Sequence, residues 1–228
     1  MLARGCWTPV ERFNDAGGWR AVGDDASGEL RLTQGDATIA QTRWSLTGEH
    51  NRANAVAALL AARHAGVPLE RGLDALSRFR NVRRRMELRG TERGVSVYDD
   101  FAHHPTAIAT TIAGLRRKVG THAGGRILAV LEPRSNTMKL GVMKAQLPGS
   151  LVDADRVYCY AANLGWDAAE ALAPLGEKAA VAGELEALVG DIVREARAGD
   201  HILVMSNGGF GGIHGKLLAA LRGLDSHA

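Results

Sequence analysis

The stretch "VYDDFAHHPTAI", residues 97–108, sets two carboxylates (Asp99, Asp100) and two imidazoles (His103, His104) within six positions and closes on Pro105. Upstream, "VSVY" (95–98) has the composition of a short strand. Downstream, "PTAIATTIAGLRRKVG" carries Ile108, Ile112, Leu115 and Val119 at spacings of four, three and four, the stripe of an amphipathic helix. Pro105 suits the first turn of that helix, with His104 at or beside its N-cap. The segment therefore reads as strand, turn and helix, with its polar residues at the carboxyl end of the strand. Those residues fit a turn that satisfies free amides, and they also fit a ligand site, since a carboxylate there can accept from a ribose hydroxyl pair. A metal centre fits less well, because adjacent residues rarely converge on one ion and no His/Cys ligand spacing recurs elsewhere.

Working outward, the same alternation repeats. "RILAVLEP" (126–133) and "HILVMS" (201–206) are continuous apolar runs, as strands buried on both faces are, and "RVYCYA" (156–161) is a further strand. "ELEALVGDIVREARAGD" is a helix with Leu185, Leu188, Val189, Ile192 and Val193 inward, and a last helix starts near Ile213. Strands alternating with helices predict an α/β fold with a doubly wound, mostly parallel, Rossmann-like sheet. In such sheets ligands gather at the carboxyl ends of strands. Three polar loops fall there: "DDFAHHPT", "EPRSNTM" and "SNGGFGGIHG".

The first part of the chain differs. "ELRLTQGDATIAQTRWSL" alternates on either side of Gln34-Gly35-Asp36 and predicts a hairpin. "EHNRANAVAALLAARHAGV" then predicts a helix with Val56, Leu59 and Leu60 on one face and Gly66 as its C′ residue. A second helix is predicted over Leu69 to Phe79, with Leu73, Leu76 and Phe79 as its stripe. The run "RFRNVRRRMELR" (78–89), with six arginines, follows as a connector between two domains.

The chain has 228 residues, enough for a full core, with 46% hydrophobic and 23% charged residues and a net charge of +3. No apolar stretch is long enough to cross a bilayer, and no export signal opens the chain. Aromatics at 5% and a single arginine cluster argue against nucleic acid and suit a discrete anionic ligand. Cys6 and Cys159 read as reduced thiols.

Each loop has a bland and a functional reading. "SNGGFGGIHGKLL" (206–218) misses both phosphate motifs. A P-loop ending at Lys216 would need glycine at Phe210, and GxGxxG from Gly209 would need glycine at His214. Its glycines suit close backbone approach to a ligand, with Ser206 and Asn207 offering polar groups. In "LEPRSNTMK" (131–139), Arg134 beside Ser135, Asn136 and Thr137 suits bidentate carboxylate recognition, although a surface turn looks the same. In "GEHNRANAVAA", Asn51 reads as a helix cap, while Asn54 on the same face can match the adenine edge. No Ser/His/Asp or Cys/His nucleophile arrangement is evident, and no residue is assigned a catalytic or metal-ligating role.

Taken together, "GEHNRANAVAALLAARHAGV", "RRRMELRG", "VYDDFAHHPTAI", "LEPRSNTMK" and "HILVMSNGGFGGIHGKLL" resemble the Mur ligase family, in the family's order, from about residue 4 to residue 221. "DDFAHHPTAI", "EPRSNTMK" and "SNGGFGGIH" resemble its muropeptide-recycling branch. The resemblance implies an ATP- and Mg2+-dependent ligase of the cytoplasm, acting in peptidoglycan recycling. It would join the tripeptide L-alanyl-γ-D-glutamyl-meso-diaminopimelate to UDP-N-acetylmuramate through an acyl phosphate, with no nucleic-acid or membrane partner. Residues 1–81 would be the C-terminal portion of the family's central ATPase domain, and residues 82–228 its amine-binding C-terminal domain. The UDP-sugar domain, the P-loop lysine and most magnesium ligands have no counterpart here, so the chain alone is expected not to turn over. The resemblance places His50, Asn51 and Asn54 at adenine, Arg85 at the phosphates, Asp100 at the ribose and His103 beside them. It places Arg134, Ser135, Asn136, Ser206, Asn207 and Phe210 at the tripeptide. Within the pairs Arg84/Arg85 and Asp99/Asp100 the choice rests on alignment. Two other readings stand: a ligase adding L-alanine to UDP-N-acetylmuramate, and a non-catalytic muropeptide-binding module.

Overall fold

Strand β6 (Ile127–Leu131) is buried along its whole length, as its unbroken apolar run requires. It lies in a six-stranded sheet with β4 (Glu87–Glu92), β5 (Val95–Asp100), β7 (Arg156–Tyr160), β8 (Ala179–Ala182) and β9 (His201–Met205). The order is β4-β5-β9-β6-β7-β8. All pairs are parallel except β4–β5, which is antiparallel. This is a computed structural model that describes residues 5–46, 48–80, 82–120, 125–134 and 140–223. Its contacts divide the chain into two units, Met1–Asn81 and Val82–Ala228.

Alternate residues of the large sheet face opposite sides and build two cores. On the first face Ile127, Ala129, Leu131, Val157 and Cys159 pack under α3 (Pro105–Val119), α4 (Leu147–Ser150) and α5 (Ala168–Leu172), with Ile108, Ile112 and Leu115 as the contribution of α3. On the second, Leu128, Val130, Ile202 and Val204 pack under α6 (Leu185–Glu195) and α7 (Ile213–Gly223). The doubly wound mixed α/β sheet matches the fold expected from the sequence. The consequence for a ligand lies in the strand order. β5 and β6 both lead to first-face elements, while β9, seated between them, leads to α7 on the second face. The chain therefore parts to opposite faces on either side of β9, which opens a crevice at the carboxyl edge.

Two strands of this sheet were not legible. The arginine-rich segment taken as a connector runs into β4. Its residues are half-buried or exposed and charged, as edge strands tolerate, so no alternation shows. β8 is four residues of mostly alanine at the other edge. Strand β5 also runs two residues further than "VSVY" suggested, which makes Asp99 and Asp100 its last two residues.

The first unit is a three-stranded antiparallel sheet, β1 (Trp19–Asp24), β2 (Glu29–Gln34) and β3 (Ala37–Arg43), with the predicted hairpin joining β2 to β3. Helices α1 (Glu49–His64) and α2 (Leu69–Ser77) cover it, burying Val56, Leu59, Leu60 and Leu73 against Trp19 and Leu32. Gly66 at φ +89° ends α1 as read from the sequence: its N–H donates to Arg63 O and that of Val67 to Ala62 O, a Schellman turn. Helix α2 stops before Phe79, which is exposed and not part of its stripe. Among the described residues no helix is long and apolar enough to cross a membrane.

Both cysteines are free, Cys6 exposed and Cys159 buried on the first face. Burial pushes the Cys159 thiol up to about 12, whereas hydrogen bonding to Thr8 pulls that of Cys6 down. Because the thiolate is the reactive form, a thiol reagent at pH 8 is expected to titrate one cysteine of the native chain quickly and the second only after denaturant is added. Equal rates for both would contradict the burial of Cys159.

Candidate functional site

The loop that follows β9 is held from both sides. Ser206 N–H donates to Asp100 O at 3.1 Å, joining it to the end of β5, and Glu132 N–H donates to Met205 O at 3.2 Å, joining it to the end of β6. The Ser206 hydroxyl donates to Glu132 Oε2 at 2.6 Å and accepts from Gly208 N–H at 2.9 Å. Ser206 is 1% exposed, so its side chain is committed to shaping the loop. Gly208 carries the arginine of the neighbouring loop: a Cβ there would sit 2.7 Å from Arg134 Cδ and 2.9 Å from its Cζ. A side chain at 208 would push the exposed Arg134 guanidinium off that backbone. Asn207, half-buried, has an Oδ1 atom shielded from water with no hydrogen-bond partner among the described residues. An unpaired buried acceptor costs about 1–3 kcal/mol, so it favours an arriving N–H donor. The edge thus offers a guanidinium lying against Gly208 and an empty acceptor on the residue just before it.

The end of β5 is organised by its two carboxylates, which point to opposite faces. Asp100, 3% exposed, turns toward α3. Its Oδ1 accepts from Ala102 N–H at 2.8 Å and the Thr111 hydroxyl at 3.3 Å, and its Oδ2 accepts from Met86 N–H at 2.8 Å. Burial raises its pKa; those donors and the Arg85 charge pull the other way. Asp99, 5% exposed, turns toward α7: its Oδ1 lies 3.4 Å from Arg84 Nε and 3.4 Å from His214 Nε2. The His214 approach is proximity without a hydrogen bond, since that nitrogen has no hydrogen-bond partner among the described residues. The segment between the carboxylates and β4 is strained. Arg84 and Met86, on either side of Arg85, have φ of +61° and +50°, conformations that non-glycine residues adopt only under constraint.

His103 donates from Nδ1 to Phe101 O at 2.9 Å, and its ring meets those of Phe101 and His104 at 5.3 and 4.5 Å. His104 is the N-cap of α3 by backbone geometry, with no side-chain cap bond, and Pro105 follows at N1 as predicted. In the first unit the N-cap of α1 is Gly48 and not Asn51. Its N–H donates to Asp25 Oδ2 at 3.0 Å while Arg52 holds Asp25 Oδ1 at 2.6 Å. His50 and Asn54 are exposed on the first turns of α1, with Asn51 half-buried beside them.

The second unit therefore brings together Arg134, Ser206 and Asn207 at one edge, with Asp100 and the Arg85 charge at the adjoining strand end. Ser135 and Asn136 lie outside the described residues. Phe210 is turned inward: it is 1% exposed and packs on Tyr160 at 5.7 Å in the second core, so its ring presents no face to a ligand. Two participants were missed by sequence reading, Glu132 and His214, and Arg84 was weighed only as the alternative to Arg85 at the phosphates. Glu132 had a signal, an acid ending a buried strand. His214 had none, since a histidine in a glycine loop looks solvated.

Comparison with known proteins adds an independent line. The pattern for "Mur ligase, glutamate ligase domain" matches residues 84–208. The UDP-N-acetylmuramate–L-alanyl-γ-D-glutamyl-meso-2,6-diaminoheptandioate ligase of Escherichia coli K12 is 50% identical over 223 residues, covering 96% of this chain and 48% of that protein. The UDP-N-acetylmuramate–L-alanine ligase of Mycolicibacterium smegmatis is 34% identical, covering 90% of this chain and 43% of its own length. Among solved structures, a murein peptide ligase from Psychrobacter arcticus is 37% identical with a TM-score of 0.69, over 97% of this chain and 48% of its own. The chain spans about half the length of the curated relatives it matches.

Burial pulls the His214 imidazole below its ordinary range, against the opposing pull of Asp99, and does the same at His201. The folded chain then binds fewer protons than the unfolded chain just below pH 6.5 or so, so stability is lost as pH falls through that window. The urea midpoint should drop between pH 7 and pH 5, and His214→Gln should flatten that drop. An identical slope in the variant would count against a neutral, buried His214.

Proposed function

Because the chain belongs to the Mur ligase family, we propose that it is the C-terminal part of an ATP-dependent amide ligase of peptidoglycan recycling. The whole protein would join L-alanyl-γ-D-glutamyl-meso-diaminopimelate to UDP-N-acetylmuramate. Met1–Asn81 would close the central ATPase domain, and Val82–Ala228 would receive the incoming peptide. The observation that carries this reading is the β9 loop, where Arg134 rests on Gly208 and Asn207 Oδ1 awaits a donor. A peptide with free carboxylates and one nucleophilic amine has the complementary groups. The identity of 50% to a tripeptide ligase against 34% to an L-alanine ligase favours the larger substrate.

A carboxylate is a poor electrophile, so the reaction needs ATP to convert the UDP-sugar's carboxylate to an acyl phosphate that the peptide amine attacks. The residues of this chain have positioning work in that scheme. Arg134 would clamp a peptide carboxylate, in the bidentate geometry its fork allows. Asn207 would accept an N–H of the attacking amine and aim its lone pair. Asp100 already receives three protein hydrogen bonds, and a carboxylate offers about four acceptor directions, so one is left for a ribose hydroxyl. Arg85, exposed and coupled to Asp100 by charge, would meet the nucleotide phosphates, with His103 nearby. In the first unit His50, Asn51 and Asn54 would serve the adenine. Among the described residues no three His, Cys, Asp or Glu side chains form a metal-binding group, and no step is assigned here to magnesium. With ATP and a UDP-sugar as substrates, the reaction would belong to the cytoplasm.

Isothermal titration of this chain tests the reading. The tripeptide should bind at least tenfold more tightly than L-alanine. Arg134→Ala should weaken the tripeptide by about 10–100-fold, equivalent to the roughly 1.5–3 kcal/mol of a charge-assisted hydrogen-bond pair. Equal affinity for L-alanine, or no effect of Arg134→Ala, would overturn it.

A further inference from the structure

Arg84 sits beside the arginine expected at the nucleotide, yet its side chain goes elsewhere. Its Nη2 donates to Gly208 O at 2.8 Å and also to Ser206 O. Its Nε lies 3.4 Å from Asp99 Oδ1, and its guanidinium covers the Phe101 ring at 5.1 Å. The backbone of the same residue is tied down as well: the N–H donates to Glu87 Oε2 at 2.9 Å, and the carbonyl accepts from Phe101 N–H at 2.8 Å. The left-handed φ of +61° is held by these bonds. One residue thus clasps the loop after β5 and the loop after β9, and the carbonyl it grips belongs to the glycine on which Arg134 lies.

We propose that Arg84 is a positioning residue for the peptide site: it sets the height of the Ser206–Gly208 backbone, and through Gly208 the place of the Arg134 guanidinium and the Asn207 amide. The two neighbouring arginines then divide the work, Arg85 facing the nucleotide and Arg84 the amine side. Arg84 touches no substrate. Its planar fork reaches two carbonyls and a carboxylate from fixed directions, which the single ammonium of lysine does not reproduce. This rests on the peptide-binding reading above.

The test combines hydrogen exchange with peptide titration on the intact chain, for Arg84→Ala, Arg84→Lys and Gly208→Ala. In both Arg84 variants the Gly208 amide should exchange at least tenfold faster, because its bond to Ser206 Oγ loosens, while a central amide such as that of Val130 keeps its protection. A role in global stability alone would move both. Tripeptide affinity should fall at least tenfold in both Arg84 variants, and in Gly208→Ala, where the added methyl displaces Arg134 directly. If Arg84→Ala does not fold, Arg84→Lys and Gly208→Ala decide between the outcomes. Unchanged Gly208 protection, or tripeptide affinity within twofold of the parent in the folded Arg84 variants, would overturn the proposal. Failure of the parent chain to bind tripeptide would overturn the peptide reading instead, and the Gly208 exchange rate would still decide the role of Arg84.

Discussion

Strand β9 pairs in parallel with β5 on one side, Ser96 through Asp100 against His201 through Met205, and with β6 on the other, Ile127 through Leu131 against the same five residues. Residues 202–205 are fully buried, and each large apolar side chain among them contributes about 1.5–3 kcal/mol by leaving water. That insertion brings three strand ends to one edge in register. It also puts a strand whose helix goes to the second face between two whose helices go to the first. The polar loops have nowhere else to go, and the crevice between them follows from strand order.

The same arrangement concentrates buried polar groups at that edge, with Asp99, Asp100 and Ser206 each at 5% exposure or less. Burial of a carboxylate is costly unless hydrogen bonds replace water. Here the replacement comes from backbone amides of segments that are bent to supply them. Met86 at φ +50° delivers its N–H to Asp100, and Arg84 at φ +61° delivers its carbonyl to Phe101. Strain of about 1–3 kcal/mol at each such residue is offset by the bonds it makes possible. Phe210 at φ +42°, with its ring locked in the core, starts the turn that carries the glycine loop into α7.

Adjacent residues of like type take opposite roles for a simple geometric reason. Along β5 the side chains alternate, so Asp99 shares the face of Val95 and Val97 and meets α7 through His214. Asp100 shares the face of Tyr98 and meets α3 through Thr111. Two carboxylates that are equivalent in the sequence therefore serve different networks: one braces Arg84 and the glycine loop, the other organises the turn into α3 and couples to Arg85. The arginine pair divides the same way.

Much of this was written in the chain. The unbroken apolar runs of β6 and β9, the stripe of α3 with Pro105 at its start, and the Gly66 stop of α1 follow from local periodicity and backbone sterics, which short segments carry by themselves. So does the placement of polar loops at strand ends. β4 and β8 were hidden, since an edge strand needs no apolar alternation and is defined by the neighbour it pairs with. The inward turn of Phe210, the grip of Arg84 on Gly208, and the choice of Asp99 or Asp100 for a given partner depend on atoms far apart along the chain or on opposite faces of one strand. Local sequence determined which elements form and where polar chemistry collects. Only the packing of β9 between its neighbours decided which of those polar groups meet, because contact across a sheet is set by register and face, and neither is a property of a segment alone.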